Sequence, residues 1–197
     1  MMFFLWLLTT FIFKMVEVVS FVHCVHSILP LKKLSVSAID SSIDAELEYE
    51  LVSSITKIGQ KAWNSLVTPE DSPFLEFEWI SAMEETGLAV TETGWQPVHL
   101  CAYSKETNLN GERTLLAAVP MYVKAHSYGE FIFDQAWADF AQRQLGVRYY
   151  PKLLVGIPFT PAVGRRILMS PSLKSAGKNT QRKILTFTAN FMARLAD

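Results

Sequence analysis

The densest collection of reactive side chains in this sequence lies at Lys124, His126, Glu130, Asp134 and Asp139. An imidazole titrates near neutrality, so His126 can take the proton of an attacking amine. Glu130 and Asp134 flank Phe131–Phe133, and the two-residue period of a strand places both acids on one face. Two close carboxylates tune each other's pKa and attract a cationic amine. Asp139 sits one turn into the following helix, where the positive end of the helix dipole stabilises a carboxylate. His126, Glu130 and Asp139 are therefore the candidate catalytic residues. Plain alternatives stand beside these roles. His126 fits a hydrogen-bonded turn, and Asp134 fits a helix N-cap.

Around this stretch lie the candidate binding residues. Asp134 can receive an amine, and Trp137, Tyr149 and Tyr150 can line a groove, although aromatics at such spacing also build cores. Lys152, Arg165 and Arg166 follow prolines and a glycine, where cations can hold phosphate or carboxylate or simply face solvent. We therefore take Asp134, Trp137, Tyr149, Tyr150, Lys152 and Arg165 as the substrate-binding set, with Lys152 and Arg165 on the side of a phosphate-bearing donor. His99 and Cys101 share a strand face but lack partners for a metal site or a dyad. Cys24 and Cys101 are the only cysteines, no Cys/His spacing suits zinc, and no resident metal is expected. A Gly-rich phosphate loop and a Gly-x-Ser-x-Gly elbow are absent, which disfavours nucleotide hydrolysis and serine esterase chemistry.

The elements that must hold these residues read as a mixed α/β domain with a meander. Glu46–Val52 alternates acids with Leu47, Tyr49 and Leu51, a half-buried strand. Ser53-Ser54 then breaks the chain before a short helix at about 56–66. Ser72, Pro73 and Gly87 bracket a helix carrying Phe74, Phe77, Ile80 and Met83 in a stripe. Strands follow at Val98–Tyr103 and Leu115–Val123, joined by a hairpin-type loop Asn108–Gly111. Pro120 cannot donate to a ladder, which predicts a bulge or splay there. A short strand at Phe131–Phe133, a helix at 136–145 closed by Gly146, extended chain at Val147–Ile157 and a strand at Arg166–Met169 complete the order. A last amphipathic helix presents Ile184, Phe187, Phe191, Met192 and Leu195. Its apolar face must either dock on the sheet or leave a sticky patch through which the chain self-associates.

The 197 residues are 50% hydrophobic and 19% charged, against about a quarter charged in a typical domain. That excludes a disordered chain and suits one domain plus an extra segment. Lys+Arg number 18 and Asp+Glu 19, so generic nucleic-acid binding is not expected. The balance hides a division: residues 40–92 carry twelve acids and two bases, and residues 140–197 carry ten bases and one acid. The two regions either face solvent, meet in the fold, or provide a basic wall for an anionic ligand. Residues 1–30 hold an uncharged apolar run, 2–13, too short for the roughly 20 residues that span a bilayer. They read as a targeting or anchor segment, membrane-associated or organellar (chloroplast included), with the secretory route or a core helix as alternatives. Residues 31–45 read as a linker and 46–197 as the folded domain.

At Ser72–Leu75, Gly94–Leu100 and above all Pro120–Asp134, the sequence resembles the FemAB-like peptidoglycan biosynthesis/recognition proteins, grouped with the GNAT N-acyltransferases. The resemblance continues through Ala136–Asp139 and Tyr149–Leu153 to Pro158–Pro161, Gly164 and Arg165. It implies a GNAT-like fold, a central mixed sheet flanked by helices, and it covers the first of the two units such proteins carry, so that the domain is expected to be truncated at its C-terminus. It also implies transfer of an acyl or aminoacyl group to an amine acceptor, with acyl-CoA or an aminoacyl donor as co-substrate and no permanently bound cofactor. A non-catalytic module that recognises a peptide or glycan is the alternative implied, as is an inactive fragment of a two-unit transferase.

Overall fold

The computed structural model describes residues 47–108, 111–130, 134–175 and 177–196. The expected leader, the linker and the expected strand Phe131–Phe133 lie outside the described residues. One long β-hairpin organises the rest. Its first arm is β2 (Trp95–Pro97) and β3 (His99–Thr107), and its second is β4 (Arg113–Val119) and β5 (Met121–Lys124). Pro120 interrupts the second arm because it has no N–H to give. The pairing does not slip there. Trp95 opposes Lys124 and Leu100 opposes Val119 in one register, and the Val98 N–H donates to the Met121 carbonyl at 2.9 Å. The expected interruption is thus a break between sheets rather than a bulge; the register shifts fall farther along, after Ala102 and Tyr103.

Each half of the hairpin gains its own neighbours. β1 (Leu47–Val52) pairs with β3, and β7 (Leu168–Met169) with β4, giving the order β1-β3-β4-β7. β6 (Lys152–Val155) pairs with β5, giving β2-β5-β6. All these pairings are antiparallel. The expected single mixed sheet is therefore replaced by two antiparallel sheets that share one broken hairpin.

Helices cover the first sheet on both faces. On one side stand the 3₁₀ turns Ile55–Lys57 and Pro73–Leu75 with α1 (Gln60–Asn64) and α2 (Phe77–Glu85). Ser54 caps the first turn by accepting from the Thr56 N–H. Ile55, Trp63, Leu66, Leu75 and Ile80 pack on Cys101, Leu115, Ala118 and Leu168. The buried indole of Trp63 donates to the Leu75 carbonyl at 2.7 Å, which satisfies its one polar atom. After β5 come α3 (Gln135–Leu145), then α4 (Pro171–Ser175) and α5 (Lys178–Ala196). Gly146 ends α3 in the left-handed region, φ 66°, and its N–H returns to the Ala141 carbonyl. No helix among the described residues is long and apolar enough to cross a membrane.

α5 docks on the opposite face. Ile184, Phe191 and Met192 are buried against Leu47, Tyr49, Val119 and Met121, and the Phe191 ring stacks on Tyr49 with centroids 5.6 Å apart. The stripe positions Phe187 and Leu195 fall outside the described side chains. Docking predicts the sign of a substitution. Ile184→Ala is expected to destabilise the fold by at least about 2 kcal/mol in urea unfolding, because it empties a packed site. On an undocked helix the same change raises helix propensity and stabilises. A measured gain in stability is the outcome that contradicts the docked position.

Candidate functional site

The register of the second sheet creates an electrostatic problem. Lys124 on β5 opposes Trp95 on one side and Lys152 on the other, so two ammonium groups sit directly across from one another on one sheet face. Like charges in that position repel. Two acids resolve it. Lys124 Nζ lies 2.6 and 2.7 Å from the two oxygens of Glu130, and Asp134 stands between the lysines, 2.5 Å from Lys152 Nζ and 3.9 Å from Lys124 Nζ. Only 3% of the Lys124 side chain is exposed. Burying a charge this far is tolerable only when it is paired.

Aromatic groups close the cluster. Lys152 Nζ donates to the Tyr149 hydroxyl at 2.9 Å and lies 4.1 Å from that ring's centre. The hydroxyls of Ser127 and Tyr150 both donate to Asp134 Oδ1. Lys124 Nζ lies 5.1 Å from the Trp95 ring centre, a cation–π contact. Burial alone pushes the Asp134 carboxyl up, but the hydrogen bonds from Lys152, Ser127 and Tyr150 outweigh it and hold the group well below the usual carboxylate range. Tyr149 and Tyr150 move the other way: burial first, and then Asp134, raise both phenols.

Beside the cluster the two sheets part. β6 pairs with β5 as far as Val155, the Gly156 N–H donates to the Pro120 carbonyl at 3.0 Å, and β7 pairs with β4 only from Leu168. The chain between 156 and 167 passes from one sheet to the other and helps to line an open cavity of about 210 Å³, with Trp95, Glu130, Leu154, Gly156, Phe159 and Arg166 among its residues. Phe159 holds φ 55°, a sterically unfavourable conformation for a bulky residue. Its ring packs 5.3 Å from Trp95. Glu130, the aromatic residues Trp95 and Phe159, and Arg166 thus meet around one cavity.

The sequence-derived candidates divide clearly. Glu130, Asp134, Tyr149, Tyr150 and Lys152 come together, and Glu130 also lines the cavity. Asp134 makes no side-chain capping bond; its carboxylate turns to the cluster although its carbonyl starts α3. Asp139 is elsewhere. Its side chain is 65% exposed and its ion partner is Arg143, one turn along α3, because the helix turns that position outward. Trp137 is 41% exposed on the same helix. Arg165 does not join Lys152 at a donor site. It forks onto Asp71, with Nε 2.5 Å from Oδ1, and donates to the Leu66 carbonyl at 3.1 Å. This pair joins the acidic and basic regions of the chain. His126 lies at the turn after β5. Its Nδ1 accepts from the Tyr128 N–H, and its ring rests on Gly94, where any Cβ would come within 2.6 Å of Nε2. Ser127 is the cluster member that residue types alone did not single out, and Lys124, noted in the polar stretch but given no role, sits at the cluster's centre.

A second polar network was also missed. Glu84 on α2 is buried, and its Oε1 lies 2.7 Å from His99 Nε2 and 3.5 Å from the Tyr122 hydroxyl. Oε2 accepts from the Ile55 N–H at 2.9 Å. His99 Nδ1 accepts from the Met121 N–H, so the ring proton sits on Nε2 and points at Glu84. The one available signal was an acid one helical turn past Ile80, within an otherwise apolar stripe. Among the described residues no group of three metal-ligating side chains converges.

Two ion pairs predict acid sensitivity. Asp71 is held well below the usual carboxylate range chiefly by its hydrogen bond from Arg165, and Asp134 by the donors above. A depressed folded pKa contributes stability that is fully present above the unfolded value, about 3.9. It is lost as pH falls from there through the folded values. The urea midpoint is expected to drop below about pH 4, and Asp71→Asn is expected to flatten that drop. Parallel curves for the two proteins would remove the Asp71 pair from the explanation.

No curated protein and no solved structure matches the chain. One family model does, over residues 54–195, a stretch that takes in every strand except β1 and every member of the lysine–carboxylate cluster. Its description is peptidoglycan biosynthesis/recognition, which carries a transferase or a recognition role, and by that match the chain belongs to the FemAB-like family.

Proposed function

We propose that this domain transfers an acyl or aminoacyl group onto an amine, in a GNAT-like arrangement, and that the cavity beside Glu130 receives the amine. The observation that carries the reading is the separation of β6 from β7 where the sheet breaks at Pro120, beside a cavity that Glu130 lines. An acceptor amine arrives as an ammonium ion. Glu130 and the faces of Trp95 and Phe159 stabilise that charge. Before attack the ammonium must lose a proton, and Glu130 is the acid already placed in the cavity wall. The free amine then adds to the donor carbonyl, and the donor's leaving group departs with the electron pair. A CoA thioester or an aminoacyl ester suits this chemistry as co-substrate.

The second reading is recognition without chemistry. It is favoured by the pairing of both cluster carboxylates with lysines. One experiment separates the two. The protein is incubated with a peptidoglycan-derived peptide bearing a free side-chain amine, together with acetyl-CoA or an aminoacyl-tRNA, and products are read by mass spectrometry. The expected result is the peptide's mass plus one acyl or aminoacyl group. Binding by calorimetry with no product from either donor supports recognition. Absence of binding to the amine peptide contradicts both readings.

A further inference from the structure

The cavity has a charge pattern that narrows its ligand. Glu130 lies in its wall on the cluster side, and Arg166 lies in its wall on the loop that precedes β7. Arg166 is exposed, and its one hydrogen bond among the described residues runs from Nη2 to the Ala162 carbonyl at 3.1 Å. That bond fixes the guanidinium to the 156–167 loop and leaves the other edge of its planar fork able to donate. Glu130 and Asp134 answer the two lysines, and Glu130 keeps lone pairs for a second cationic donor. A ligand with an amine alone would leave Arg166 unanswered at the same cavity. A ligand with a carboxylate near its amine answers both walls. Arginine is the side chain best matched to a carboxylate, through paired N–H donors.

Resting on the reading of the cavity as an amine site, we propose that Arg166 selects acceptors of amino-acid type, binding a carboxylate of the acceptor while Glu130 holds its ammonium group. Trp95 and Phe159 line the same cavity with their rings 5.3 Å apart and offer apolar surface to a methylene chain. The strained backbone of Phe159 is consistent with this wall being held in place rather than left to adjust.

The test uses two probes, L-lysine and 1,5-diaminopentane, which share their amines and differ in the carboxylate. Each is titrated into the full chain and followed by NMR. Lysine is expected to bind about tenfold more tightly, the value of one charge-assisted hydrogen bond. Arg166→Gln is expected to bring the two probes to equal affinity, and Arg166→Lys to restore part of the preference by charge without the fork. Equal binding of both probes by the wild-type protein overturns the role of Arg166 and leaves the amine site standing. A preference for lysine that survives in Arg166→Gln overturns that role in the same way. Failure of both probes to bind, with thermal unfolding showing a folded protein, overturns the amine site and this proposal together.

Discussion

Glu84→Ala is expected to destabilise the fold by about 2–5 kcal/mol, because two buried donors lose their acceptor at about 1–3 kcal/mol each. The carboxylate answers the Ile55 N–H and the His99 Nε2–H at once, with the Tyr122 hydroxyl nearby. Those groups are buried, His99 and Tyr122 completely. After truncation each donor must be left unmade or find water in a packed interior. Glu84→Gln tests the argument more sharply. An amide has one acceptor and one donor end, while both carboxylate oxygens here face donors. His99 cannot escape by moving its proton, since Nδ1 already accepts from Met121. Gln is therefore expected to cost about 1–3 kcal/mol despite its shape. Urea unfolding at neutral pH measures both, and a Gln variant as stable as the wild type would mean that the network is not closed in this way.

The place of that network explains its expected size. His99 follows Val98 and Met121 follows Pro120, so the imidazole spans the point where one hairpin passes from the first sheet to the second. Tyr122, on the same network, packs edge-on against Trp95, which lines the cavity. Glu84 thus ties α2 to the break in the sheets and, through two rings, to the candidate site.

Local signals in the sequence marked many of the elements, though not β2 or α4. Alternation marked β1, Asp134 and Gly146 bracketed α3, and the missing N–H of Pro120 marked the break between β4 and β5. They also singled out Glu130 and Asp134, which both reach the paired lysines. What they could not supply was register. Lys124 meets Lys152 because β5 and β6 align in one of several possible ways, and periodicity within either segment says nothing about that choice. Arg165 is the counterpart case. A cation in a proline- and glycine-rich loop looks available for an anion, and only the folded chain reveals that Asp71 already holds it. Asp139 lies apart from the cluster for a simpler reason. Position along a helix fixes the direction of a side chain, and one turn past Asp134 the direction is outward.

The largest effect on activity is expected at Glu130, and the comparison with Asp139 gives it meaning. In the proposed transfer, Glu130→Gln removes the one carboxylate that lines the cavity among the described residues, and turnover is expected to fall by about 10²–10⁴, the contribution of a positioned proton acceptor. Asp139→Asn, on the solvent side of α3, is expected to leave turnover unchanged. Glu130 also pairs with a buried lysine, so a loss of activity can come from a disturbed fold. The double variant Glu130→Gln with Lys124→Gln removes the stranded ammonium group together with its partner. It is expected to recover thermal stability relative to Glu130→Gln alone without recovering turnover. A rise in turnover that tracks the recovered stability would assign Glu130 to the packing of Lys124. Wild-type turnover in the single variant would take the reaction away from this cavity, leaving the paired lysines and carboxylates as a structural device that holds β5, β6 and the start of α3 together.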